Sequence, residues 1–333
     1  MQAIERTLWH PVVAAADVAQ QPVAAVLLDE PLVLWRDGQG ALHAWADRCP
    51  HRGARLSLGR VTEGLLACPY HGWRFEASGR SVHVPVQPAF VPPVSHCAQV
   101  FEAQERHGLV WVRLAPPAPG LPKPLLAPPH FAQGEAAGWR QLLCGPYDVA
   151  TSAPRLVENF LDLSHFGFVH EGWLGTPDHA QVDPGDVRES PEGVTVKQCK
   201  AWQPRAYAGA NEGAWIAYSY DVPAPYTAVL SKDATEEQGT RNAIALFICP
   251  RTPESCTAWF AMATFNDASS DDDLRRFQDA VFAQDKPIVE SQQPKRLPVT
   301  ANAPVREVHG PADRVSSAYR RYLARLGVTF GVC

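Results

Sequence analysis

Two short segments each set a cysteine beside a histidine: Cys49-Pro50-His51-Arg52-Gly53 and Cys68-Pro69-Tyr70-His71-Gly72-Trp73. Sixteen residues separate His51 from Cys68. If the four donor atoms are to meet, the chain between them must turn back on itself, so the segments are expected to be facing loops. Gly53 and Gly72 suit backbone with positive φ or a close approach. Pro50 and Pro69 stiffen the loops that carry the ligands.

A [2Fe–2S] cluster of the Rieske type holds one iron by two thiolates and the other by two imidazoles. The spacings Cys-x-His and Cys-x-x-His let each loop supply one ligand of each kind, so Cys49, His51, Cys68 and His71 are the candidate cluster ligands. A structural zinc site draws on the same atoms. Zinc fingers, however, place paired cysteines first and paired histidines last, whereas here the two types are interleaved. The other six cysteines (97, 144, 199, 249, 256 and 333) are expected to be small buried hydrophobes or inert thiols.

The surrounding chain reads as short strands between turns. Residues 23–28 and 32–35 flank Asp29-Glu30-Pro31; a turn at 37–40 precedes 41–46; 110–114 is a further strand. This spacing predicts a small all-β unit over residues 1–115. Seven prolines occupy the fifteen positions from 115 to 129. Such a stretch sustains neither a helix nor a central strand, and a stiff connector over 116–137 is expected. A proline-rich surface loop is the alternative. Residues 138–333 mix helix and strand. Helices are expected at 156–169, 271–292 and 312–326, with Pro287 ending or kinking the second. The last should bury Val315, Tyr319, Tyr322 and Leu323 on one face. Strands are expected at 194–198, 214–220, 243–249 and 258–265.

A second cluster of donors lies in Glu158-Asn159-Phe-Leu-Asp162-Leu-Ser-His165-Phe-Gly-Phe-Val-His170. On one continuous helix, 158/159, 162 and 165 share a face, while His170 swings away. The helix must therefore end or bulge near residues 166–168 if both imidazoles are to meet one metal. A non-haem Fe(II) site needs two histidines and one carboxylate. Asp285, on an apolar-faced helix, is the best carboxylate candidate; Asp279 and Glu290 read as solvent-face charges. Gln278, Val281 and Phe282 share the face of Asp285, so Gln278 and Phe282 are candidate substrate contacts. Asn242 and Phe247, on an expected inner strand, are weaker ones.

The formal net charge of −5 gives no sign of a nucleic-acid partner. No apolar run reaches the roughly 18 residues of a membrane span, and the N-terminus lacks a signal-peptide layout. A soluble, cytoplasmic protein is expected.

Taken together, these motifs resemble the Rieske non-haem iron oxygenases over nearly the whole chain, and most closely their demethylating monooxygenases of the dicamba O-demethylase and caffeine N-demethylase type. The matching stretches are Leu8–Pro11, Cys49–Gly53, Cys68–Trp73, Glu158–His170, Val281–Pro294 and Ala318–Leu323. The resemblance implies an α+β chain: an N-terminal all-β Rieske domain, then a catalytic domain whose antiparallel sheet is wrapped by helices in the START or helix-grip manner. It implies a Rieske [2Fe–2S] cluster and a mononuclear Fe(II) held by His165, His170 and Asp285. Asp162, with Asn159 nearby, would bridge electrons from a Rieske histidine of a neighbouring subunit in a head-to-tail homotrimer. Electrons would come from NAD(P)H through a separate reductase, with or without a ferredoxin. The implied reaction is O2-dependent hydroxylation of a small aromatic or heteroaromatic substrate, foremost oxidative O- or N-demethylation. Ring hydroxylation is the alternative within the family. A Rieske electron carrier is the alternative outside it, and it leaves the His/His/Asp set unused.

Overall fold

The computed structural model describes residues 3–204, 213–232, 241–300 and 302–333. The chain forms two compact units, Arg6–Pro119 and Gly120–Cys333, and Ala3–Glu5 belong to the second. The division falls inside the proline-rich stretch, which also holds a single turn at Lys123–Leu126, and a four-residue helix, α1, follows at Ala132–Glu135.

The first unit is built from strands, as its turn spacing predicts. Its strands are β1 (His10–Ala14), β2 (Val23–Leu27), β3 (Glu30–Arg36), β4 (Leu42–Ala46), β5 (Arg60–Thr62), β6 (Leu65–Ala67), β7 (Arg74–Phe75), β8 (Ser81–His83), β9 (Val100–Arg106) and β10 (Leu109–Arg113). A six-stranded sheet runs β1-β10-β9-β4-β3-β2, and β5-β6-β7-β8 make a smaller one. Trp35, Trp45 and Phe75 pack edge to face at 5.0 and 6.4 Å between ring centroids. This core also includes Cys49, Cys68 and Trp73, so the ligand loops are anchored in it. Both oxygens of Asp47 tie down Ser57, accepting from its amide at 2.7 Å and its hydroxyl at 2.6 Å.

The second unit centres on an antiparallel sheet. Its strands are β11 (Arg140–Val149), β12 (Val182–Asp183), β13 (Asp186–Ser190), β14 (Gly193–Gln203), β15 (Ala214–Ala224), β16 (Thr227–Lys232), β17 (Arg241–Thr252) and β18 (Ser255–Phe265). Their order is β11-β18-β17-β16-β15-β14-β12, with β13 also on β14. One face carries the main core, which includes Leu142, Leu230, Leu246, Ile248, Phe260 and Met262. Helices α2 (Ala153–Leu161), α4 (Asp271–Ser291) and α5 (Arg314–Leu326) contribute to that core.

Three helical expectations are corrected. The single helix expected over 156–169 is two: α2 ends at Leu161, and a separate turn, α3, spans Phe166–Val169. Asp162 is extended, at φ −90° and ψ 130°. Its Oδ1 accepts from the Ser164 amide at 2.8 Å, a local bond that competes with helix continuation. The shared helix face expected for residues 158/159, 162 and 165 therefore does not form, and the break precedes His165 rather than following it. Pro287 does not end α4, which runs through it. Pro287 and Ala283, four residues earlier, are both exposed, so water can meet the carbonyl that proline leaves without a donor. Helix α5 starts at Arg314, after a tight turn at Pro311–Asp313, and buries Val315, Tyr319, Tyr322 and Leu323 as its periodicity predicts.

Behind α2, buried charges fasten three segments together. Arg155, 2% exposed, donates to the Pro294 carbonyl at 2.8 Å and to Glu307 at 2.6 Å. Arg320 of α5 grips both oxygens of Glu158 at 2.6 and 2.8 Å and donates to Glu307 at 2.6 Å. Burial pushes the Glu307 carboxyl up, but Arg155 and Arg320 override it and hold the group below its ordinary value. That contribution is present above the ordinary glutamate pKa of 4.5 and is lost as pH falls through the lowered one. Arg155→Leu should lower the unfolding free energy by about 3 kcal/mol, measured by urea denaturation. The variant should also lose less stability on acidification than the parent.

Candidate metal centres

The two Cys/His loops are near copies in their backbone bonding. Gly53 donates to the Cys49 carbonyl at 2.8 Å, and Gly72 to that of Cys68 at 3.1 Å. Both glycines take positive φ, 74° and 69°, as the turn reading predicts. Cys49 and Cys68 are buried, whereas His51 is exposed and His71 half-buried. The two imidazoles lie 4.7 Å apart, and His51 stacks on Trp73 at 4.5 Å with planes 7° apart. Burial pushes the Cys49 thiol up to about 11, against the pull of the His51 and Arg52 amides that bond its sulfur. Those amides are placed to stabilise a thiolate. A paired thiol set inside and a paired imidazole set outside fit the division of ligands in a Rieske cluster.

The second centre depends on the break at Asp162. The chain leaves α2, turns at Asp162, and enters α3 with the Val169 amide bonded to the His165 carbonyl at 2.8 Å. This brings the two rings together, with His165 Nε2 and His170 Nε2 3.2 Å apart. Asp285 Oδ1, from α4, lies 3.4 Å from His165 Nε2 and 3.2 Å from His170 Nε2. For metal–ligand bonds of about 2.1 Å at right angles, donor atoms sit about 3 Å apart. The three atoms therefore fit one ion held on one face, and His165, His170 and Asp285 are a candidate metal-binding set.

The opposite ring atoms are also held. His165 Nδ1 bonds Asp162 Oδ2 at 3.0 Å, and His170 Nδ1 bonds Gln284 Oε1 at 2.7 Å. An acceptor at each Nδ1 favours the tautomer that leaves Nε2 free to ligate. Asn159 donates to Asp285 Oδ1 at 3.2 Å, which joins α2 to α4 at the site. Burial alone would lower the His165 imidazole, but bonds to Asp162 and Asp285 hold it up to about 9. Burial would raise Asp285, but the two histidines bring it down to about 2. The donors are thus mutually polarised, as expected where a cation belongs.

Other candidates fall out differently. Asp279 is exposed and Glu290 partly exposed, as expected of solvent-face charges, and each also accepts a bond: Asp279 from the Tyr147 hydroxyl of β11 at 2.5 Å and Glu290 from the Ala150 amide just after β11 at 2.8 Å. Gln278 and Phe282 are buried on the face of α4 that carries Asp285. Asn242 lies on the side of β17 that carries Leu246 and Ile248. Phe247, five residues on, projects to the other side, so placing it in the same pocket as Asn242 is corrected. Gln284 was not singled out from sequence; only the meeting of α4 with α3 gives it a role. Of the six remaining cysteines, four are buried, while Cys97 is exposed and Cys333 half-buried.

Residues 8–101 match the Rieske [2Fe–2S] domain family, and residues 149–329 match the vanillate O-demethylase oxygenase C-terminal domain. The chain belongs to the Rieske non-haem iron oxygenases. It is 32% identical to methylxanthine N1-demethylase NdmA of Pseudomonas putida, over 96% of this chain and 89% of that one. It is 29% identical to the vanillate O-demethylase oxygenase subunit of a Pseudomonas species, over 90% and 95%. Among solved structures, NdmA from Pseudomonas putida with caffeine superposes with a TM-score of 0.81 at 31% identity, covering 96% of this chain and 90% of that one. Dicamba monooxygenase bound to dicamba gives 0.79 at 25%, covering 98% of each.

As a member of this family the protein is an oxidoreductase with a Rieske [2Fe–2S] cluster and a mononuclear non-haem iron, and it works with a reductase. No helix among the described residues is long and apolar enough to cross a membrane. Replacing His170 with Ala should remove one iron per chain and leave the visible spectrum of the cluster unchanged, by metal analysis and absorption. Gln284→Leu should keep the ligands but weaken the mononuclear iron by roughly 10- to 100-fold, read by competition with a chelator.

Proposed function

We propose that the protein is the terminal oxygenase of a demethylating system. It hydroxylates a methyl group on oxygen or nitrogen of a small aromatic or heteroaromatic substrate and releases formaldehyde. The convergence of His165, His170 and Asp285 on one ion-sized point carries this reading. The demethylases among its relatives support the choice of reaction. Residues 1–115 form the Rieske domain, 116–137 the connector and 138–333 the catalytic domain. Cys49 and Cys68 hold one iron of the cluster, and His51 and His71 the other. When bound at His165, His170 and Asp285, Fe(II) supplies O2 activation for C–H hydroxylation.

The chain's own groups prepare that site. Asn159 orients Asp285; Gln284 and Asp162 orient the two imidazoles. The Asp162 side chain is 30% exposed while that of His170 is 1% exposed. Asp162 thus reaches the surface while touching a metal-facing ring, which suits a bridge from His71 of the partner subunit in a head-to-tail homotrimer. Gln278, Phe282 and Asn242 line the substrate side, whose apolar walls exclude water. Once a methyl group is hydroxylated, the unstable hydroxymethyl compound splits at its carbon–heteroatom bond. Each turnover consumes O2, an electron pair and two protons, and leaves the demethylated product, formaldehyde and water. A separate NAD(P)H-dependent reductase, with or without a ferredoxin, delivers the electrons. The free thiols support a reducing, cytoplasmic setting.

With a surrogate reductase and a panel of aryl methyl ethers and N-methyl heterocycles, formaldehyde should appear in step with O2 uptake. A cis-diol without formaldehyde would turn the reading to ring hydroxylation. Asp162→Asn should retain three irons per chain and lose nearly all turnover; substantial activity would remove Asp162 from the electron path.

A further inference from the structure

On the core-facing side of the catalytic sheet, four strands set polar side chains opposite one another in one row. Tyr218 pairs with Lys232, Lys232 with Asn242, and Asn242 with Thr264. The next row is largely apolar, with Tyr220, Leu230, Ile244 and Met262. Lys232 Nζ lies 3.3 Å from Gln203 Oε1 and 5.6 Å over the Tyr218 ring. No carboxylate among the described residues pairs with it. Burial pulls its ammonium down to about 8, and no opposing charge restores it. Arg140, at the β11 end of the same row, differs: the Ser269 carbonyl and Asp271 take its guanidinium.

Several polar groups around Lys232 are unmet. Among the described residues, the hydroxyls of Tyr218 and Tyr220, Nε2 of Gln203 and Oδ1 of Asn242 are buried without a hydrogen-bond partner. Tyr218, Tyr220 and Gln203 are each 1% exposed. Leaving so many polar groups unsatisfied beside an ammonium that has the Gln203 amide oxygen but no carboxylate among the described residues is costly, and native interiors rarely tolerate it without a ligand or water. All but one of these orphans are donors, and the cluster carries a positive charge. Its complement is an oxyanion.

The cluster is close to the candidate iron ligands. The Phe166 ring lies 5.2 Å from His165, 5.8 Å from His170 and 6.2 Å from Tyr218, centroid to centroid. One aromatic ring thus lies between the metal-facing histidines and the polar row, with the apolar row alongside.

We propose that Lys232, with Tyr218, Gln203 and Asn242, forms an oxyanion subsite that selects substrates carrying a carboxylate or sulfonate on an apolar ring, with the reacting methyl group at the far end. This rests on the oxygenase reading and narrows its substrate class. Lys232 supplies charge, Tyr218 and Gln203 supply donors, and Asn242 Oδ1, which can only accept, disfavours a second anionic group.

The test is calorimetric binding to the iron-loaded full chain, with benzoate and benzenesulfonate as anionic probes and benzamide as the neutral match. Wild type should bind at least one anion tenfold or more tighter than benzamide. Lys232→Met should weaken anion binding by roughly 30-fold or more and change benzamide binding by less than about threefold. Lys232→Arg should keep most of the anion preference. Met fills the space of the Lys stem without its charge, so the ligand-free variant should be no less thermally stable than wild type. Equal binding of anions and benzamide by wild type, or unchanged anion binding in Lys232→Met at full iron content, would overturn the subsite. Because binding is read without turnover, the two readings fail separately. Lys232-dependent benzoate binding with no formaldehyde from methoxybenzoates defeats demethylation alone. Formaldehyde from neutral methyl compounds, with no Lys232-dependent anion binding, defeats the subsite alone.

Discussion

Asp162 uses its two carboxylate oxygens in opposite directions along the chain's logic. Oδ1 takes the Ser164 amide and stops α2; Oδ2 takes Nδ1 of His165 and orients the ring that the stop has just released. A continuous helix would carry His165 and His170 to different sides. The break lets α3 begin at His165, so that both imidazoles meet Asp285 from α4. The same side chain stays partly exposed. Local backbone competition, orientation of a candidate ligand and partial exposure are therefore combined in one residue, and the candidate metal centre depends on it.

The rest of the second unit holds that geometry still. α2 is fixed from behind by Arg155 and Arg320 acting on Glu158 and Glu307, and from the front by Asn159 on Asp285. α4 is tied along β11 by Tyr147 to Asp279 and at its end by the Ala150 amide to Glu290. These contacts join elements distant in sequence, so a ligand on α4 can be placed to a few tenths of an ångström against ligands from α3. The sheet supplies an apolar floor and, at one edge of it, the polar row around Lys232. In the proposed reading α3 and α4 hold the metal, and α4 and the strands together face the substrate.

Much of the first unit was legible in the sequence because its determinants are local. Cys49–Gly53 and Cys68–Trp73 contain ligand, turn and glycine within a few positions, and the backbone follows as read. In the second unit, His165, His170 and Asp285 could be named from residue type and helical periodicity. The position of the helix break could not, because the choice lay between two bonds available to Asp162. Pro287 does not end α4 because the carbonyl it leaves without a donor lies on an exposed helix face. Phe247 was misplaced because strand parity, not apolar character, decides which side of a sheet a residue serves.

By itself, the sequence determined the chemistry of the donors, the two-unit plan and the alternation of strands, since all of these follow from residue type and short-range spacing. Only the tertiary structure decided what Gln284, Asn159 and Lys232 are for. Their meaning lies in partners across strands and helices dozens of residues away. A lysine is ordinary in a string of letters and becomes informative only when folding half-buries it beside an amide oxygen and buried hydroxyls, with no carboxylate among the described residues to pair it.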